Sequence, residues 1–247
     1  MSAKEYLSSK NTASYTVTLW TLAALLFIAS IAFLKEPFDG YRFIRGLVSW
    51  AFLGAVFFFK RKDTSLQIAI FFLLYGASSF LTIWYENSWL ATAALCLNFV
   101  AFVILISALW PRVSFKDLGY GLTAIFVLFV CVNAYLLYEF IDMLKNFAQG
   151  NFHYATMLLG AMGMAATGFL ALVFNHSRSS KASLYFTLAV FLIIFAEIFR
   201  AIAYYEFGYG DLSVYIARIL LILGSVSMAT YAIMEKPKND ELGKPLL

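Results

Sequence analysis

Residues 183–205, SLYFTLAVFLIIFAEIFRAIAYY, and residues 212–234, LSVYIARILLILGSVSMATYAIM, decide how this chain folds. At ~1.5 Å of rise per residue each is long enough to cross ~30 Å of hydrocarbon as a helix. Each also carries formal charge in its interior: Glu197 and Arg200 in the first, Arg218 in the second. A charge at bilayer depth costs at least ~2.5–3.5 kcal/mol on insertion scales, so three in neighbouring spans call for mutual pairing and a polar cavity. They are the first candidates for a functional site.

Six further apolar runs precede these two, near residues 16–34, 43–60, 66–85, 89–110, 118–143 and 153–175. The predicted class is an all-α, polytopic membrane bundle of about eight transmembrane helices. Composition agrees: 62% of residues are hydrophobic, 13% are charged and the mean hydropathy is +0.80, outside the range of soluble globular domains. Short connections make residues 1–247 a single transmembrane domain, with an N-terminal segment over 1–15 and a tail over 235–247. The net charge of +4 does not point to nucleic acid, because no basic arm or zinc-finger spacing accompanies it. The first run is longer than a signal-peptide core and reads as a retained anchor, with cleavage near Ala32 as the alternative. Cys96 and Cys131 fall mid-span and read as small buried hydrophobes rather than a disulfide.

Once the spans are removed, Lys4, Lys10, Lys60, Arg61, Lys62, Arg112, Lys116, Arg178, Lys181, Lys236, Lys238 and Lys244 fall on one side. Lys35, Arg42, Arg45 and Lys145 fall on the other. The positive-inside rule then predicts that both termini are cytoplasmic and that the protein is multi-pass in the cell (inner) membrane. A weak internal repeat also shows. Trp84-Tyr85-Glu86 and a helix carrying Asn98 recur, 120 residues later, as Tyr204-Tyr205-Glu206 and a helix carrying Arg218. This suggests a 4+4 duplication.

In that topology Glu197 and Arg218 share a depth in the outer half of the membrane, so an ion pair between them is geometrically reasonable. Two arrangements compete with it. Arg200, three residues on, shares a helix face with Glu197, and it could instead snorkel to the headgroups. Arg42, Arg45, Glu86, Asn98, Asn133, Tyr138, Glu139, Asp142 and His153 fall in the same half. For Glu86, Glu139, Asp142, Glu206, Asp211 and His153 a solvated rim is the simpler reading. A buried pair can also be a clamp without chemistry, so a functional cavity and a structural lock both stand at this point. With histidines only at 153 and 176, on opposite sides, no histidine-based zinc site is available. No lysine lies mid-span to form a Schiff base, and no nucleophile elbow or phosphate loop is present. No cofactor or metal is expected. Gly160, Ala161, Gly163, Ala165 and Gly168, with Gly224, Ser225 and Ser227, are expected to permit close helix packing.

Several local patterns resemble the YhhN-like family of eight-span membrane proteins, which includes lysoplasmalogenases. Tyr41-Arg42-Phe43-Ile44-Arg45-Gly46 resembles the family's Arg-x-x-x-Lys-Pro before span 2. Glu197 stands where the family has an Asp, and Tyr215-Ile216-Ala217-Arg218-Ile219-Leu220 resembles its Tyr-x-Ala-Gln-x-Leu. The chain departs from the pattern at Gly76-Ala77-Ser78-Ser79, where the family has Gly-Asp, so one of two family carboxylates is missing. The resemblance implies an eight-span fold and hydrolysis of the vinyl-ether bond of lysoplasmalogens, a task for a paired acid and base.

The reading that follows is a lipid or amphiphile held between the helices on the outer-leaflet side, with membrane lipids as partners. Glu197 is the candidate acid/base, and Arg200, Arg218, Arg45, Asn98 and Tyr215 are the candidate binding residues, since guanidinium matches phosphate bidentately. A small secondary transporter and a non-catalytic membrane partner subunit are the alternatives.

Overall fold

The computed structural model describes residues 3–32, 38–60, 65–113, 115, 119–204 and 210–234. Tyr205 and Glu206 of the proposed repeat, and the tail over 235–247, lie outside them. Among the described residues there are eight long α-helices: α1 (Ala3–Ala32), α2 (Phe38–Lys60), α3 (Leu66–Leu81), α4 (Ser88–Leu109), α5 (Tyr120–Met143), α6 (Asn151–Arg178), α7 (Lys181–Tyr204) and α8 (Gly210–Met234). Every one is long and apolar enough to span a membrane. Helix is the form such sequences must take in hydrocarbon, because it satisfies all backbone donors and acceptors within the segment.

Polar side chains set where helices begin and turn. Asn87 caps α4, its side-chain oxygen accepting from the backbone N–H of Trp89 at 3.0 Å and Leu90 at 3.3 Å. Between α6 and α7, Ser179 adopts the left-handed conformation at φ 42°, ending α6. Ser180 and Ser183 then exchange backbone-to-hydroxyl bonds of 3.1 Å each, a reciprocal cap that starts α7.

Helices α1–α4 pack in chain order, and so do α5–α8. The halves meet through α4 against α6 and α2 against α8. Each of the contacts α1–α2, α2–α3, α3–α4 and α2–α8 thus has a counterpart four helices on. The α1–α8 contact has none of similar extent, since α5 leans on α6. That leaves α5 with the least buried span of the eight, only 6% of its most apolar window. Cys131 on α5 is therefore exposed rather than buried as expected, and Cys96 is half-buried; both are free.

One rim of the bundle, hereafter the cavity rim, gathers the start of α2, the 3-10 turn Thr82–Trp84 after α3, the starts of α4 and α6 and the end of α7. Arg42 marks it by donating to the Ile83 carbonyl at 2.9 Å, and Tyr85 by meeting the Tyr204 ring edge-on. The opposite, hairpin rim holds the α6–α7 turn and the contact of Arg112 with the Tyr231 hydroxyl at 2.8 Å.

Close packing falls at Gly224, as expected, and also at two glycines that the sequence did not single out. A Cβ on Gly76 would lie 2.3 Å from the Trp50 indole, and one on Gly46 2.6 Å from the Phe80 ring. These two glycines let α2 and α3 approach, with Trp50 and Phe80 rings 4.6 Å apart between them. Gly224 does the same for α8 against Ile193 of α7, at 2.8 Å. Gly160 was expected to pack closely, but a Cβ there would meet nothing within 4 Å, because this part of α6 faces a cavity. Gly76→Ala is accordingly expected to lower thermal stability, by about 1–3 kcal/mol for overpacking. Gly160→Ala is expected to raise it by roughly 0.5–1 kcal/mol through helix propensity. Thermal unfolding of the two purified variants in one detergent checks the pair.

Candidate functional site

Glu197 sits on α7 seven residues before its end at Tyr204, which places it ~10 Å below the cavity rim. It is 4% exposed. Arg45 is seven residues into α2 and Tyr75 six before the end of α3, so the helical rise brings all three to one level. Arg45 donates to Glu197 Oε1 at 2.8 Å, across 152 residues of sequence. The buried Tyr75 hydroxyl donates to the same oxygen, and Arg200 pairs with Oε2 from one turn along α7. Both oxygens of the carboxylate are thus engaged, by groups from three helices.

The expected partner Arg218 is not among these donors. The reason lies at the start of α2. This helix begins at Phe38, about a turn and a half earlier than the sequence suggested, so Arg45 lies within it rather than at its mouth. Gly46 beside Arg45 and Gly76 beside Tyr75 are the two residues at which α2 and α3 approach closely. That contact delivers both side chains to the carboxylate. The i,i+3 pairing of Glu197 with Arg200, the competing arrangement, is present together with Arg45. Arg218 is 2% exposed on α8 and faces the same cavity.

That cavity, of about 140 Å³, lies between α2, α3, α4, α5, α6, α7 and α8. Arg42, Arg45, Arg200, Arg218, Glu197, Tyr75 and Asn98 supply its principal polar surface, and Leu95, Leu137, Phe140, Ile141, Met157, Met164 and Leu221 are among its apolar walls. The described lining residues thus include four arginines and one carboxylate, with Arg42 also paired to Glu86 at the rim. Asn98 is 6% exposed, and its amide oxygen has no hydrogen-bond partner among the described residues; nor does Arg200 Nε. Such buried groups are costly unless something in the cavity meets them.

Of the residues singled out in the sequence, the structure brings Glu197, Arg200, Arg218, Arg45 and Asn98 to one cavity. Tyr215 is not among the residues lining it and is 37% exposed on α8. Tyr75 was missed, although it immediately precedes the Gly76-Ala77-Ser78-Ser79 stretch. A hydroxyl inside an apolar span, next to a glycine, was the available signal. Ser78 and Ser79 are not among the residues lining the cavity: the Ser78 hydroxyl ties α3 to α4 through the Ala94 carbonyl at 2.7 Å, and the Ser79 backbone carbonyl accepts from the Thr82 hydroxyl at 2.6 Å.

The rim groups divide. Glu86 is exposed and pairs with Arg42 at 2.8 Å. Partial burial works against its ionisation, but its own backbone N–H and the Arg42 guanidinium outweigh this and hold the carboxyl below the usual range. His153 is not on a solvated rim; it is 2% exposed, with Thr92 3.1 Å from Nδ1 and the Tyr85 ring against it. The sequence hid this because α6 starts at Asn151 and packs its first turn onto α4. Among the described residues no three His, Cys, Asp or Glu side chains are grouped to hold a metal. No family model, no curated protein and no solved structure matches the chain.

Glu197→Gln removes the buried carboxylate that pairs with the half-buried Arg45 and Arg200 and is expected to cost about 3–5 kcal/mol. Glu86→Gln removes a pair whose acid is 68% exposed and is expected to cost no more than ~1 kcal/mol. Thermal unfolding of both variants reads the contrast.

Proposed function

We propose that this multi-pass protein, of YhhN-like fold, binds a lipid or similar amphiphile with its phosphate-bearing head in the arginine-lined cavity and its apolar part between the helices. The observation that carries the reading is the cavity's two-sided lining, four arginines with one glutamate and an amide against walls of Leu, Ile, Phe and Met. A phosphate-bearing head suits the guanidinium groups, which accept it in paired hydrogen bonds. A buried acceptor on Asn98 suits a hydroxyl beside that phosphate. The basic residues of the hairpin rim favour a cytoplasmic location for it and for both termini, which puts the cavity toward the outer leaflet of the cell membrane.

In this reading Glu197 has two roles open to it. As an anchor it sets Arg45 and Arg200 for the head. As the acid/base of vinyl-ether hydrolysis it would have to exchange a proton while three donors hold it. The anchor role is the better supported, because no second carboxylate lines the cavity among the described residues. The matching order of helix neighbours in the two halves favours a 4+4 duplication, with Asn98 on α4 and Arg218 on α8 at equivalent places. A transporter built on such a repeat is the second reading.

Purified protein given lysoplasmalogen is expected to retain it in native mass spectrometry, with binding weakened at least tenfold in Arg45→Leu, a loss of about 1.4 kcal/mol. Release of a fatty aldehyde that disappears in Glu197→Gln would establish hydrolysis. Retained lipid without aldehyde leaves binding alone, and no retained lipid overturns the proposal. Glu197-dependent solute flux in proteoliposomes would favour the transporter.

A further inference from the structure

A second, apolar groove adjoins the arginine cavity on its hairpin-rim side. Its walls come from α5, α6 and α7, among them Phe129 of α5, Ala165, Gly168 and Phe169 of α6, and Phe191 and Ile194 of α7. Leu137, Met164 and Ile198 line both spaces, one residue from each wall, so the two adjoin there. The one polar side chain in the groove wall, Asn133, turns its amide back to the Phe129 carbonyl at 2.7 Å. The interior is therefore hydrocarbon-like along its length.

The groove exists because of how α5, α6 and α7 pack. The recorded bonds between α6 and α7, Ser183 to Asn175 and Thr187 to the Ala171 carbonyl, lie toward the hairpin. Farther along, α6 presents Ala165 and Gly168, which are too small to fill the space, while α5 leans on α6 and not to any comparable extent on α7. A Cβ on Gly168 would meet Ile194 and Phe191 only at ordinary contact distance, 3.4 and 3.8 Å. From Met157 in the cavity to Phe169 in the groove is twelve residues of α6, or ~18 Å of helical rise, the scale of a long hydrocarbon chain.

We infer that this groove is the chain subsite for the amphiphile headed in the arginine cavity: it admits one hydrocarbon chain, laterally through the α5–α7 seam, and ends on Phe129, Phe169 and Phe191. The inference rests on the reading of the cavity given above. At about 60 Å³ against about 140 Å³ the groove is the narrower of the two spaces, which favours one chain over two. The aromatic floor makes it a ruler: a chain that reaches the three phenylalanines gains the whole wall, and a longer one must bend out between α5 and α7. Ala165 and Gly168 are then specificity-determining residues for chain length.

The test uses the full chain in phosphatidylcholine nanodiscs and a long single-chain alkyl phosphate carrying a diazirine at its chain end. Photolabelling competed by excess unlabelled alkyl phosphate, with adducts mapped by mass spectrometry to Phe129, to residues 165–169 or to Phe191, is the expected result. Gly168→Leu is expected to weaken competition by the long-chain phosphate about tenfold, as overpacking of the groove would. A short-chain analogue, which never reaches that turn, should compete unchanged. Ala165→Leu serves the same purpose if Gly168→Leu does not fold. Competed labelling whose chain-end adducts fall elsewhere, or an unaltered preference in both variants, overturns the groove and leaves the cavity reading standing. Labelling that no alkyl phosphate competes overturns both.

Discussion

The carboxylate of Glu197 is the point on which the interior of this bundle depends. It is buried about two turns before the end of α7 and takes donors from α2 and α3, each more than a hundred residues away in the chain, and from Arg200 of α7 itself. In a bilayer neither the acid nor the two arginines could stay apart without large cost, so their meeting fixes the relative height and rotation of three helices at once. Apolar packing cannot supply that register alone, because lipid tails are as apolar as the helices they surround.

Packing nonetheless decides whether the donors can arrive. Arg45 and Tyr75 each stand next to a glycine, and at each glycine the ring of the other helix occupies the space a side chain would need. On the opposite wall glycine has the reverse effect. Gly160 meets nothing, and with Ala161 it keeps α6 back from the charged cluster. The same residue type thus closes one helix pair and opens another, and the cavity lies between the two. The cavity carries the charged and amide groups, and the groove beside it is lined chiefly by Phe, Ile, Leu and Met.

The spans were legible because each needs ~20 apolar residues, and hydropathy reports that directly. All eight fall where the runs do, to within a few residues at most of their ends. Glu197, Arg200, Arg218, Arg45 and Asn98 could be singled out for the same reason, being polar groups in or beside such runs. Their pairing was not legible. Depth along a helix follows from counting residues, but which faces oppose one another is set by contacts such as Trp50 against Gly76, which no periodicity announces. Arg218 was matched to Glu197 on depth alone, whereas the rotation of α2 gave that place to Arg45. Tyr75 was passed over because an aromatic in an apolar helix usually reads as packing, and His153 because a lone histidine at a span end reads as part of a solvated rim.

The most direct measurement is a pair of double-mutant cycles on thermal or denaturant unfolding in one detergent, one coupling Glu197→Leu with Arg45→Met and the other coupling it with Arg218→Met. The structure predicts a coupling of about 1–3 kcal/mol between Glu197 and Arg45, the range for residues in one ion-pair network, and a clearly smaller one with Arg218. Additive effects for Glu197 and Arg45, or the larger coupling with Arg218, would contradict it.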